Sequence, residues 1–422
     1  MTTPPRWKTA PEDLRILRDL AKRQLEISHD PVMEERRRLW TLHNDLHGER
    51  PMVLCESGGV RDEFLPDSKL QCKEDWARNL ERSFRLTIYH YENVKDDSVV
   101  DGHLRCNWSV RVSDYGVSAK VQRGEDSQGR RLGYRWEHPI KDLQSQADKL
   151  HPRTYSVDRE ATAASKARLE EVFQGILPVQ IRGGFWWTVG MTWPAINLIG
   201  LENLMVYMVD QPEALHRLMA FLRDDHIAYA QWLEREGLLT LNNGNDYIGS
   251  GSRGFTTGLP QADWKPGAPV RLKDLWVLSE SQETVGISPA MFAEFIFPYQ
   301  LAVVEKFGLT YYGCCEPVHN RWESVKKFPN LRSVSVSPWC DEAFMAEALG
   351  RSYVYSRKPA PALISTARFD EDAIRSDLQN TLRLAKNCNV ELVMKDVHHL
   401  NNQPQRMGRW VQLAREVIGE SA

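Results

Sequence analysis

Two adjacent cysteines and a glutamate form the stretch of this sequence whose residue types most clearly suit chemistry. Cys314, Cys315 and Glu316 follow an apolar run at residues 308–312, with one glycine, Gly313, in between. His398 follows another apolar run and offers an imidazole. Thiolate, imidazole and carboxylate are the ligands that zinc takes in proteins, and a catalytic zinc has three protein ligands and one open position. The sequence therefore predicts a zinc site that takes its ligands from among these four residues.

Each of these residues also has a purely structural interpretation. Alternate residues of a strand share a face, so Cys314 and Glu316 would face the same space and Cys315 would point away unless the chain turns. Adjacent cysteines are often small buried hydrophobes, and a disulfide between neighbours is strained. A loop histidine such as His398 or His399 is commonly a surface residue. Which of the adjacent cysteines and histidines bind metal stays open.

Polar and aromatic residues follow several other predicted strands. The predicted catalytic residues are Asp246, Glu280 and Tyr312. The predicted substrate-binding residues are Arg182, Trp186, Trp187, Trp193 and Tyr247. A cluster of tryptophans can form an aromatic wall for a methoxylated ring or a quaternary ammonium group. Core packing is the alternative explanation of the tryptophans, and turn chemistry is the alternative for the loop around Asp246.

The elements that must position these residues alternate between helix and strand. Residues 11–46 predict two helices, and residues 51–55 predict a first strand. From about residue 161 onward, short apolar strands alternate with helices, which is the pattern of a parallel sheet. The predicted elements include helices at residues 196–208 and 288–308 and a strand at residues 238–243. No glycine-rich nucleotide-binding motif follows any of these strands. We therefore expect an α/β fold, a (β/α)8 TIM barrel with an N-terminal helical extension, whose chemistry lies at the carboxyl ends of the strands.

Composition and charge restrict the domain organisation and the partners. We expect a helical segment over residues 1–50 and a barrel domain over residues 51–422, with a polar insertion around residues 95–160. The net charge of −3 leaves no basic excess to bind phosphates, so we expect neither a nucleic-acid nor a membrane-surface role. Seven cysteines in a large chain that begins without an apolar leader predict reduced thiols and a cytoplasmic location.

Three stretches of the sequence resemble a known family. They are "SESQETVGISPAMFAEFIFPYQ" at residues 279–300, "GLTYYGCCEP" at residues 308–317 and "MKDVHHLNNQPQRMGRWVQLARE" at residues 394–416. They are similar to segments of the uroporphyrinogen decarboxylase-like superfamily, in particular its cobalamin-linked zinc methyltransferase branch. The resemblance runs from about residue 160 to the end of the chain.

This resemblance implies a TIM barrel, a bound Zn²⁺, and transfer of a methyl group from a small O- or N-methylated compound to a corrinoid protein. The chain departs from the family's zinc ligands, because Tyr312 or Gly313 stands at the histidine position and His398 or a neighbour at the last cysteine position. It has no cobalamin-binding Asp-x-His-x-x-Gly motif, so cobalamin is expected only through a separate corrinoid protein.

The predicted partners are accordingly a small-molecule methyl donor and a corrinoid protein, with a homodimer left open. Two other functions remain as alternatives. One is a metal-dependent lyase, decarboxylase or hydrolase on the same barrel, with Glu280 or Asp246 as the general base. The other is a non-catalytic protein of the same fold that binds a small molecule.

Overall fold

The computed structural model describes residues 9–125, 131–184 and 188–421. The α-helices are α1 Pro11–Ser28, α2 Pro31–Asn44, α3 Arg61–Phe64, α4 Asp75–Tyr89, α5 Leu143–Gln146, α6 Arg159–Phe173, α7 Thr192–Ile199, α8 Leu201–Asp210, α9 Pro212–Arg235, α10 Pro289–Phe295, α11 Phe297–Val304, α12 Trp322–Val325, α13 Glu342–Leu349, α14 Ala362–Ser365, α15 Glu371–Leu384 and α16 Gln405–Ser421. The strands are β1 Met52–Cys55, β2 Leu104–Asn107, β3 Ser109–Val112, β4 Lys120–Glu125, β5 Arg131–Glu137, β6 Tyr155–Asp158, β7 Val179–Arg182, β8 Tyr247–Gly249, β9 Ser252–Arg253, β10 Trp276–Ser279, β11 Leu309–Tyr312, β12 Leu331–Val336, β13 Val354–Arg357 and β14 Asn389–Met394.

The main sheet has six strands in the order β1-β14-β13-β12-β11-β10. The pairs β1–β14, β10–β11 and β11–β12 are parallel. Every residue of β1, β10, β11 and β14 is buried, as expected for parallel strands that are covered on both faces. The α/β class is confirmed, and this sheet is consistent with the predicted (β/α)8 barrel. Strand β7 pairs instead with β2, in a separate two-stranded parallel sheet.

One predicted strand, at residues 238–243, is wrong, since this described segment has no strand structure. The side chain of Asn242 explains the difference. Its Oδ1 accepts the Trp276 N–H at 2.9 Å, and its Nδ2 donates to the Trp276 carbonyl at 3.0 Å. A side-chain amide thus occupies the main-chain groups at the edge of β10 that a neighbouring strand would use.

Two helices predicted as continuous are each divided in the structure. Residues 196–208 fall into α7 and α8, which Gly200 separates with a φ of +93°. Residues 288–308 fall into α10 and α11, and Pro298 at the start of α11 has no N–H to continue the first helix. Within the described part of the chain, none of the helices is long and apolar enough to span a membrane.

The chain divides into two compact units. The first comprises Met1–Asn107, Arg159–Arg182 and Ser356–Ala422, and the second comprises Trp108–Asp158 and Gly183–Tyr355. The polar segment predicted as an insertion largely belongs to the second unit. It forms the antiparallel pairs β3–β6 and β4–β5 there.

Each unit has its own apolar core. In the first unit, side chains of α1, α4 and α6 pack together around Leu17, Phe84 and Phe173. In the second, β8, β10 and β11 bury Ile248, Trp276 and other apolar side chains between them. This second core supports the ends of β10 and β11, which carry five of the twelve predicted site residues.

Candidate active site at the ends of β10 and β11

A glycine turns the chain directly after β11. Gly313 has a φ of +97°, in the left-handed region that favours glycine. A Cβ at this position would also lie 3.1 Å from side-chain carbons of Ser335 and Val318. The Gly313 N–H still donates to the Ser279 carbonyl of β10 at 2.8 Å. The strand alternation therefore stops at this residue, before the two cysteines.

The two adjacent thiols lie on the same side of this turn. Cys314 Sγ and Cys315 Sγ are 3.6 Å apart. Cys314 is 4% exposed and Cys315 is half-buried. Simple strand alternation predicts opposite directions for the two side chains, and the structure differs because Gly313 has already turned the chain. Ser250 Oγ donates a hydrogen bond to Cys314 Sγ over 3.7 Å.

Glu316 uses its buried carboxylate to join the ends of two strands. Its Oε1 accepts the Ser281 N–H at 2.9 Å, and its Oε2 accepts the Cys314 N–H at 2.8 Å. The side chain is fully buried. Each carboxylate oxygen has a second lone pair, so the metal-ligand role of Glu316 stays a prediction.

Glu280 is a second buried carboxyl group, at the end of β10. Its Oε2 accepts the Gln282 N–H at 3.0 Å, and its Oε1 has no hydrogen-bond partner among the described residues. Burial raises the pKa of Glu280 well above its usual value, and the negative charges of Glu316 and Glu283 raise it further. The environment thus favours the protonated form, which donates a proton rather than accepting one.

We expect Glu280→Gln to stabilise the protein more at about pH 8 than at about pH 4. In the unfolded chain the carboxyl ionises near a pKa of about 4.3, whereas in the folded chain it stays protonated to higher pH. Wild-type stability therefore falls as pH rises from the unfolded pKa to the folded one, and each unit of raised pKa costs about 1.4 kcal/mol. Glutamine does not titrate and avoids this cost.

Urea unfolding of the Glu280→Gln variant at several pH values measures this effect. Glu323→Gln is the matched control, because the Glu323 side chain is 79% exposed. Its replacement is expected to change the free energy of unfolding little at any of these pH values. A Glu280→Gln stability difference that is the same at every pH would show that the Glu280 carboxyl titrates normally.

The loop that precedes α7 lies against the end of β10. Val189 N–H donates to the Leu278 carbonyl at 2.9 Å. Gln300 Nε2, from α11, donates to the carbonyls of both Gly190 and Glu280, at 2.9 and 2.8 Å. A Cβ at Gly190 would lie 2.0 Å from the Glu280 carbonyl oxygen, so this approach requires glycine. These contacts hold the main chain that carries the Glu280 carboxyl group.

Tyr312 is part of a buried hydrogen-bond network around Ser281. The Tyr312 hydroxyl and Ser281 Oγ lie 2.9 Å apart. Arg321 Nη1 donates to Ser281 Oγ at 2.7 Å, and its Nη2 donates to the Thr284 carbonyl at 2.9 Å. Burial raises the pKa of the Tyr312 hydroxyl, with a further contribution from Glu316. The network holds the loop after β10, and a catalytic role for Tyr312 stays a prediction.

Asp246 and Tyr247 lie at the start of the β8–β9 hairpin. Asp246 is buried and Tyr247 is 44% exposed. Gly249 of this hairpin packs on β11, since a Cβ there would lie 2.2 Å from the Tyr311 ring. The next residue, Ser250, is the one that donates to Cys314 Sγ. The hairpin therefore links the predicted catalytic Asp246 to the segment that contacts the thiol pair.

The remaining predicted site residues have different locations. Trp193 is 41% exposed on α7, and its ring meets that of Trp136 edge to face with centroids 5.8 Å apart. Trp186 and Trp187 lie outside the described residues, so the aromatic wall remains a prediction.

Two predicted residues belong to the first unit, where Arg182 ends β7 and the exposed His398 follows β14. Over the described ranges, no group of three or more His, Cys, Asp and Glu side chains is arranged to hold a metal ion. The full ligand set predicted for zinc therefore stays a prediction.

Sequence reasoning missed the residues that hold this site together. They are Ser250, Ser281, Gln300 and Arg321. The first two are short polar side chains within three residues of a predicted site residue in the sequence, which is the one signal that could have indicated them. Gln300 and Arg321 occur in helical segments, where a polar residue is ordinarily on the solvent side. Their burial depends on the packing of those segments against the ends of the strands.

Comparison with known proteins places few further constraints on this chain. No protein-family model and no curated protein sequence matches it. A methyltransferase from Methanosarcina mazei is a similar solved structure, with 12% sequence identity and a TM-score of 0.49, and the match covers 91% of this chain and 97% of that chain. A similarity of this size identifies neither the reaction nor the substrate of this chain.

Proposed function

We propose that this chain is a zinc-dependent methyltransferase that moves a methyl group from a small O- or N-methylated compound to a separate corrinoid protein. The observation that carries the proposal is the thiol pair of Cys314 and Cys315 at the end of β11. The charge of Cys314 contributes to the raised pKa of the buried Glu280, so thiol and carboxyl groups lie within electrostatic reach of each other. The zinc and corrinoid parts of the proposal come from the family resemblance of the sequence.

The thiol pair fits a tetrahedral zinc ion. Two sulfur ligands at about 2.3 Å from zinc, at a tetrahedral angle, are separated by about 3.8 Å. The Cys314 and Cys315 sulfur atoms are 3.6 Å apart. Either Glu316 or His398 is the third ligand that we propose, from residue type and resemblance, which leaves the fourth position open for substrate. When bound there, zinc would supply a Lewis acid that lowers the pKa of an acceptor thiol or polarises the ether oxygen of a donor.

Glu280 supplies the proton that the leaving group needs. Loss of a methyl group from oxygen or nitrogen generates a basic atom, and a nearby acid stabilises that atom by protonating it. Glu280 Oε2 accepts the Gln282 N–H. The proton of the acid form therefore resides on Oε1, the oxygen that has no hydrogen-bond partner in the described structure.

We expect turnover only when a separate corrinoid protein in its reduced state is present. The chain has no cobalamin motif of its own, and reduced cobalamin is a far stronger nucleophile than water. The measurement is the absorbance of methylcobalamin, with a panel of methoxylated aromatics and methylamines as donors. The Glu323→Gln variant is expected to match the wild type in this assay, whereas Glu280→Gln is expected to be slower.

Two results would contradict this proposal. Turnover by the chain alone, with water as the acceptor, would indicate the hydrolase alternative. Elemental analysis that finds less than about 0.2 metal ions per chain after purification with added zinc would exclude the zinc site, because thiolate-containing sites bind zinc tightly.

A further inference from the structure

The two adjacent thiols are held in contact by the main chain around them. Cys314 Sγ and Cys315 Sγ are 3.6 Å apart, and a disulfide bond requires about 2.05 Å. Rotation of the two side chains must close the remaining gap of about 1.5 Å, and closure strains the peptide unit, because adjacent Cα atoms are only about 3.8 Å apart and most disulfides span at least about 4.4 Å. Contact between neighbouring side chains is unusual in an extended segment, where they point to opposite faces.

Polar contacts fix the main chain on both sides of Cys314. Its N–H donates to Glu316 Oε2 at 2.8 Å, and its carbonyl accepts Ser335 Oγ at 2.8 Å. The preceding Gly313 holds the left-handed turn. The peptide units next to Cys314 are thereby held in place while the two side chains rotate toward each other.

The two thiols differ in their access to solvent. Cys314 is 4% exposed, and Cys315 is half-buried. A small reagent therefore meets Cys315 first. We propose that Cys314 and Cys315 form a reversible redox pair, which a low-molecular-weight disulfide such as glutathione disulfide converts into a disulfide between adjacent residues.

The reaction is an ordinary thiol–disulfide exchange in two steps. The thiolate of Cys315 attacks the reagent, whose S–S bond breaks and releases one thiol. The sulfur of Cys314 then attacks the Cys315 sulfur of the mixed disulfide and releases the second thiol. Two electrons pass from the protein to the reagent, and the two protons of the protein thiols end on the released thiols.

The expected product is a labile disulfide. A disulfide between neighbouring residues is strained, and strained disulfides are more easily reduced than structural ones. Formation of the disulfide removes both thiolates, which are the forms of cysteine that bind metal ions. Oxidation of the pair therefore prevents the pair from binding a metal ion. This inference concerns the thiols alone and does not depend on methyl transfer.

Mass spectrometry of the full chain tests the pair directly. Trypsin releases both cysteines in one peptide, residues 307–321, which contains no other cysteine. After incubation with glutathione disulfide, acid quenching and alkylation with N-ethylmaleimide, we expect this peptide to be unalkylated and about 2 Da lighter than its reduced form. Subsequent treatment with reduced glutathione is expected to restore two alkylated cysteines.

Two cysteine variants and the chemical state of the wild-type peptide decide whether the redox pair forms. Cys315→Ser is expected to abolish the mass loss, whereas Cys388→Ser, which changes another half-buried thiol, is expected to retain it. A wild-type peptide that ends fully alkylated, that ends with glutathione on one cysteine, or that is cross-linked to the peptide of Cys340 would overturn the proposal. None of these measurements uses a methyl donor or a corrinoid protein, so they are independent of the proposed reaction.

Discussion

Replacement of Cys315 by alanine is expected to lower methyl transfer by more than about 100-fold and to remove most of the bound zinc. Loss of an outer partner of a metal ligand already costs about 10- to 100-fold in affinity or activity, and loss of a direct ligand is expected to cost more. With a chelator present, so that neither protein holds zinc, the free energy of unfolding is expected to change by less than about 1 kcal/mol, because Cys315 is half-buried at a strand end and the change removes one sulfur atom.

Three measurements on the same preparations check this result. They are the methylcobalamin absorbance, the zinc content and the urea unfolding curve in the presence of a chelator. Cys388→Ala is the matched control, since it also removes a half-buried thiol, and it is expected to retain activity and zinc. A Cys315→Ala variant with wild-type zinc content and wild-type turnover would show that this thiol is not a ligand.

Replacement of Gly190 by alanine is expected to destabilise the protein by about 3 kcal/mol, near the upper end of the range for overpacked sites. The added Cβ would lie 2.0 Å from the Glu280 carbonyl oxygen, which is a main-chain atom and cannot rotate away. To relieve the overlap, the loop must move from β10. That movement breaks the two hydrogen bonds from Gln300 that hold Gly190 and Glu280 together.

Because the loop and Gln300 hold the Glu280 main chain in place, transfer is expected to slow in any Gly190→Ala protein that remains folded. Gly58→Ala is the control, as a Cβ at Gly58 meets no atom within 4 Å, and it is expected to change stability by no more than about 0.5 kcal/mol. Equal urea midpoints for the two variants would mean that the loop does not pack on β10 as described.

The apolar strands and the residues after them are determined by the sequence itself. A parallel strand that is covered on both faces needs a continuous apolar run, and such runs identify β10, β11 and β14. Glu280 and Cys314 could be named as candidate site residues because the chemistry of a side chain follows from its type. The alternation of strands and helices is equally local, and it indicates the α/β class without any tertiary information.

Tertiary structure alone decides which of these groups meet and in which chemical form. The segment at residues 238–243 is apolar enough for a strand, but the Asn242 amide occupies the main-chain groups of Trp276. The raised pKa of Glu280 depends on burial and on the charge of Glu316 from another strand end. Each effect requires atoms from segments distant in the chain, and no local pattern of residue types encodes a distance between such segments.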